Sequence, residues 1–81
     1  MKSDIDKYFQ TRDLYFAAYL FSKEYKLTAV RPDENGGFFW FVFLDKEKCG
    51  KEEQLFFKNK TEVNAKDYSE AIKYLKRKVS R

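Results

Sequence analysis

Eighty-one residues with nine Phe, six Tyr and one Trp make one small domain whose core must be built largely from rings, and the net charge of +4 permits an anionic partner without requiring one. The chain has no His and a single Cys, so it lacks the commonest general base and excludes an internal disulfide or a cysteine-based zinc site. The longest apolar runs, Leu14–Phe21 and Phe38–Leu44, fall well short of the ~20 residues of a membrane span, and the first residues lack a signal-peptide pattern; an intracellular, cytoplasmic protein is expected.

In chain order, residues 1–6 are expected to fray, and Tyr8-Phe9-Gln10 reads as a short strand or an extended lead-in. Thr11 is the expected N-cap of a first helix, with Asp13 in its first turn. Leu14, Ala17, Ala18 and Phe21 recur at helical spacing, and Phe16, Tyr19 and Leu20 widen the stripe, which predicts a helix covered on most sides. Tyr25 to Arg31 reads as a strand in which Tyr25, Leu27 and Ala29 alternate with Lys26, Thr28 and Val30. Pro32-Asp33-Glu34-Asn35-Gly36-Gly37 is turn chemistry throughout.

The next stretch, Phe38-Phe39-Trp40-Phe41-Val42-Phe43-Leu44, is the one around which the chain is organised. As a strand it sends Phe38, Trp40, Val42 and Leu44 to one face and Phe39, Phe41 and Phe43 to the other. Both faces are apolar, so neighbours have to enclose them. Asp45 to Lys58 is expected as a helix capped by Asp45, although Gly50 weakens it and Leu55-Phe56-Phe57 fits a strand as well. Asn64 caps a final helix, with Asp67 completing a capping-box-like pair and Val63 and Tyr68 placed for a hydrophobic staple. Tyr68, Ala71, Ile72, Leu75 and Val79 give that helix one apolar face, and residues 80–81 are expected to fray. The expected fold is α+β: an antiparallel β-hairpin, with a short third strand at the N-terminus as an option, packed against about three helices in the order β-α-β-β-α-α.

The motifs Phe9-x-Thr11-x-Asp13, Ala17-Ala18-x-Leu20, Phe41-x-Phe43, Phe57-x-Asn59 and Val63-x-Ala65-x-x-Tyr68-x-x-Ala71-x-x-x-Leu75-Lys76 together resemble a family of short proteins from bacteria, archaea and their mobile elements, known only as a domain of unknown function. The resemblance implies the fold and a prokaryotic or mobile-element setting, and it carries over no catalytic residue. Members of that family tend to have Gly where Glu24 stands here; that Gly would end the first helix in a left-handed turn.

Three stretches are candidates for function. Residues 1–44 balance their charges and the second half carries the whole +4, with Lys73, Lys76, Arg77, Lys78 and Arg81 following the last acid, Glu70. Such a basic end could track the phosphates of a nucleic acid, or simply suit a helix C-terminus and a solvated face. These residues cannot all share one helix face; Lys73, Lys76 and Arg77, with Arg81, come nearest. Second, Gly37 to Phe43 superficially looks like the aromatic strand of an RNA-recognition motif, but the leading basic residue is missing and Phe39 stands where a small residue belongs, so a core strand is the better reading. Third, if helices cover only the other side, Phe39, Phe41 and Phe43 form an apolar patch for a protein partner or a homodimer; a helix of the same chain over them is the competing reading.

Catalysis finds little support. Asp4-x-Asp6 and Glu52-Glu53 are acid pairs at a terminus and on a mixed-charge helix, no Gly-rich phosphate loop occurs, and Cys49, despite Lys48 and Lys51 nearby, reads as a buried thiol. No cofactor, metal or membrane is expected. A small non-enzymatic binding module is, with nucleic acid as its first candidate partner and a protein-interaction or homodimerising role through the aromatic face as the alternative.

Overall fold

The computed structural model describes residues 7–79, so the expected fraying of 1–6 and 80–81 lies outside the described residues. The elements are β1 (Tyr8–Thr11), α1 (Leu14–Ser22), β2 (Leu27–Pro32), β3 (Phe39–Leu44), α2 (Lys46–Phe57) and α3 (Ala65–Val79). This is the expected α+β order, with the optional N-terminal strand present and residues 46–57 helical through Leu55-Phe56-Phe57. The strands form one antiparallel sheet in the order β1-β3-β2, which puts the aromatic strand in the centre, hydrogen-bonded on both edges.

The register decides what each face of β3 meets. Phe9 and Leu27 pair with Phe43, while Thr11 and Val30 pair with Phe41. Paired residues share a face, so these side chains form one surface, and the buried cluster draws from it: Phe41 and Phe43 join Phe16–Leu20 of α1, Cys49 of α2 and Ala71 and Leu75 of α3. Gln10, Ala29 and Val42 are in register on the opposite face, as are Arg31 and Trp40. A bulge between Leu27 and Ala29 inserts Thr28, whose hydroxyl donates to the Val42 carbonyl at 3.0 Å. That one extra residue lets Leu27 and Val30 point the same way, which simple alternation forbids.

Five consecutive residues of α1, Phe16 to Leu20, are buried, because the sheet, α2 and α3 all lie against this helix. A helix surrounded in this way needs no polar stripe. The rings of Phe16 and Tyr19 meet Phe56 of α2 at centroid distances of 5.2 and 5.1 Å, and Phe21 stacks on Tyr74 of α3 at 4.9 Å.

The helix ends follow local chemistry. Asp13, not Thr11, is the N-cap of α1: its Oδ1 accepts the Phe16 amide at 3.0 Å. Thr11 is committed to the sheet opposite Phe41, and its Oγ1 accepts the Asp13 amide at 3.2 Å. Asp45 caps α2 through the Lys48 amide, and Asn64 caps α3 by accepting the Asp67 amide at 3.0 Å. At the end of α1 the Glu24 amide bonds Phe21 O and the Tyr25 amide bonds Leu20 O, with Glu24 at φ 69. This is the paired 5→2 and 6→1 closure that usually has Gly at the left-handed position. The same pair of bonds ends α2, with Asn59 at φ 56.

Candidate nucleic-acid interface

Every cation of α3 is exposed. At about 100° per residue, Lys66, Lys73 and Arg77 fall within about 40° of one another around the helix, and Lys76 lies about 60° beyond Lys73. The opposite side of α3 is the one buried, through Ala71 and Leu75, so these four side chains make a cationic ridge on the solvent side. From Lys66 to Arg77 it runs about 16 Å. Among the described residues none of the four makes an ion pair; the surface pair of this half is Lys51–Glu47 at 3.6 Å. Lys66 was absent from the sequence-based candidates because acids follow it in the chain, although two helical turns align it with Lys73.

Lys78 stands apart, about 140° from Lys73 around the helix. Its Nζ lies 5.2 Å from the centre of the Tyr74 ring, and it borders a groove of about 280 Å³ with Thr28, Ala29 and Val30 of β2. Arg81 lies outside the described residues. On the other flank, Lys73 and Arg77 edge a cleft of about 530 Å³ toward the end of α1, where Glu24, Asp67 and Glu70 supply carboxylates. Glu70 falls about 20° from Arg77 and about 40° from Lys66 around the helix, so the ridge carries one acid on the side where it borders the end of α1.

The aromatic interface candidate is corrected by the packing. Phe41 and Phe43 are 2% and 0% exposed and lie in the core, and Phe39 beside them is half-buried. Helices of the same chain cover Phe41 and Phe43, so these two offer no face to a partner or a second copy, while Phe39 stays half-buried outside that cluster. Besides Phe39, the β3 residues outside that cluster are those of the opposite face, Phe38, Trp40, Val42 and Leu44. There Trp40 sits between two arginines. Arg31 of β2 is its register partner, and Arg12 lies one residue beyond the last pair of β1 with β3. The Arg12 guanidinium stacks over the Phe38 ring at 4.9 Å, and Phe38 meets Trp40 edge-on at 5.4 Å. The Trp40 indole donates to Asp33 Oδ1 at 3.0 Å, and Arg31 reaches over β3 to donate to the Gln10 side chain. Alternation along β3 already separated Trp40 from Phe41; what was missing was which face the helices choose.

Of the residues considered for catalysis, Asp4 and Asp6 lie outside the described residues, and Glu52 and Cys49 are occupied otherwise. Glu52 accepts hydrogen bonds from the Tyr19 and Tyr25 hydroxyls at 3.0 and 3.1 Å. Cys49 is fully buried, its thiol donates to the Leu44 carbonyl at 3.3 Å, and burial, aided by the Asp45 and Glu52 charges, pushes it up to about 12. Lys48 and Lys51 do not reverse that. Among the described residues no group of Cys, Asp and Glu could hold a metal ion, and no helix is long and apolar enough to cross a membrane.

The chain belongs to the family described as Domain of unknown function (DUF5659), whose model matches residues 6–81. No curated protein and no solved structure matches it.

Proposed function

We propose that this member of the family is a small non-enzymatic binding module that takes hold of nucleic acid through the solvent side of α3. The observation that carries the reading is the ridge itself: Lys66, Lys73, Lys76 and Arg77 lie exposed along one side of a helix, with no carboxylate partner within ion-pair distance among the described residues. Structural cations at a helix C-terminus need only complement its dipole, an effect confined to the last turn. Lys66 is in the first turn and Lys73 in the middle, where the dipole gives them no reason to be positive. A repeated phosphate backbone does.

The reaction of such a ridge to salt is calculable. Four phosphates neutralised on a single strand lower the affinity about 50-fold for a fourfold rise in salt. Fluorescence anisotropy with labelled single-stranded and duplex oligonucleotides, at low salt and at four times that concentration, tests this. Replacing Lys73, Lys76 and Arg77 together by Gln should cut binding sharply with the helical circular dichroism kept, since all three are exposed and Gln is a good helix former that adds no charge at the helix end. Absence of binding by the unaltered chain at low salt would overturn the proposal.

A further inference from the structure

We propose that the outer face of the sheet is a stacking platform for an unpaired nucleic-acid strand, with a base lying against Trp40 and phosphates meeting Arg12 and Arg31. This rests on the nucleic-acid reading of α3 and adds to it which form of nucleic acid is bound and by what contact.

Four features of the face support the proposal. First, all the buried helix residues belong to the opposite face, which leaves Trp40 and Phe38 as half-buried rings outside the core. Second, the rings are held in place. The Trp40 indole N–H is anchored on Asp33 at 3.0 Å, and Phe38 is clamped between Trp40 and the Arg12 guanidinium. A fixed ring loses little freedom when a base stacks on it, and stacking works for any base because each has a π face. Third, the arginines stand on both sides of Trp40 in the row Arg12–Trp40–Arg31 across three strands, so a strand crossing the sheet along this row keeps its backbone near positive charge. Beside Trp40 a depression of about 450 Å³ is bordered by the polar ends of Gln10, Arg31 and Asn35, which suit the edge of a base. Asp33 and Glu34 line the same depression from the turn side; the Trp40 and Asn35 hydrogen bonds, and after them the charges of Arg12 and Arg31, hold the Asp33 carboxyl below its ordinary value. Asp33 is already engaged by the indole and by the Asn35 amide at 3.1 Å, so the favoured path runs away from the turn.

Fourth, the platform connects to the cations of α3. From Arg31 the exposed edge of β2 leads past Ala29 and Thr28 to the groove bordered by Tyr74 and Lys78. Lys78, which has no place in the ridge, stands where a strand leaving the sheet would reach α3. A duplex cannot follow this path, because its bases are stacked on one another and unavailable to Trp40.

Trp40 is the single Trp of the chain, so its emission reports this face alone. The experiment titrates the full chain with a single-stranded oligodeoxynucleotide and with the matching duplex, following Trp emission and the anisotropy of a labelled strand in parallel. The expected result is quenching of Trp40 by the single strand that saturates together with the anisotropy, and little quenching by the duplex. Trp40→Ala should weaken single-strand binding about tenfold. Arg12→Glu combined with Arg31→Glu, both exposed side chains, should weaken it at least as much and repeats the test without touching the core. Anisotropy that rises while Trp emission and both variants stay unchanged would overturn the platform and leave the α3 ridge standing. Equal quenching by the duplex would also overturn it, and no binding of either form at low salt would remove both proposals.

Discussion

The Tyr19 hydroxyl of α1 donates to Glu52 Oε1 of α2 at 3.0 Å, in the part of the molecule where the two helices share the aromatic core. The second oxygen of the same carboxylate accepts from Tyr25, just past the end of α1, at 3.1 Å. One acid thus ties together α1, the segment that follows it and α2. Tyr19 is almost wholly buried, so its hydroxyl has little water to turn to if the acid is lost.

Removing that acceptor should therefore cost more than an average surface change. Glu52→Ala leaves two phenolic hydroxyls without their carboxylate and is expected to destabilise the fold by about 1–3 kcal/mol. Glu52→Gln keeps one carbonyl acceptor but turns an amide donor toward the other hydroxyl, so its cost should fall between the two. Urea unfolding followed by circular dichroism measures both. Two variants as stable as the parent would mean that the tyrosines do not depend on Glu52.

The same arrangement makes stability fall at high pH. Burial, followed by the Glu52 hydrogen bond and charge, pushes Tyr19 and Tyr25 up to about 12 from the ordinary 10.0. The unfolded chain then releases its phenolic protons first, and between about pH 10 and about 12 it binds fewer protons than the native state. The contribution is complete below the unfolded value and lost as pH climbs through the folded one. Urea midpoints should drop across that window. Tyr19→Phe with Tyr25→Phe should flatten the drop, which separates these two groups from the titrating lysines.

Cys49 supplies a test of native packing. Its thiol is enclosed, hydrogen-bonded to Leu44 and held protonated well above neutral pH. An aromatic disulfide reagent at neutral pH should leave it untouched in buffer and modify it at once in denaturant. Rapid reaction in buffer would contradict the burial. The rate in buffer, where measurable, reports how often α2 opens.

Phe41→Lys distinguishes core from interface. A cation placed at a side chain 2% exposed has no partner there and cannot reach water without disrupting the sheet. The expected outcome is an unfolded or insoluble chain, visible as lost circular dichroism. A folded chain that changed only its mass by light scattering would restore the aromatic-face dimer.

Much of this architecture was legible beforehand because each element carries its own signal: turn residues before β3, caps at Asp45 and Asn64, and the apolar face of α3. The orientation of β3 was not legible. Seven apolar residues in a row name two faces without saying which one the helices cover. The flanking strands hold the answer, since Phe9 and Thr11 line one face while Gln10 and Arg12 lie toward the other, but β2 obscures it. Its bulge at Thr28 reverses the alternation midway, so Leu27 joins Val30 instead of Ala29. A bulge is a property of the ladder and has no fixed residue signature, which is why the platform around Trp40 emerges only with the register. The ridge on α3 was mostly visible, because helical periodicity needs no partner strand to be read.

The end of α1 offers a gain in stability. Glu24 adopts φ 69 to complete the closure in which its amide bonds Phe21 O and the Tyr25 amide bonds Leu20 O. A side chain in that left-handed conformation costs about 1–2 kcal/mol, while Gly has no such penalty and loses about 0.5–1 kcal/mol through its freer unfolded chain. Glu24 is exposed, at the rim of the cleft that Lys73 and Arg77 edge, so its substitution leaves the core in place. Glu24→Gly should raise stability by about 0.5–1 kcal/mol, a rise of about 2–8 °C in the melting temperature of a domain this size. Asn59→Gly, at the equivalent point after α2, should give less, since Asn already tolerates φ 56. Thermal melts of the two single variants and Glu24→Ala decide the matter: Ala keeps the strained Cβ and should bring no gain. A lower melting temperature for Glu24→Gly would mean that α1 ends in some other way.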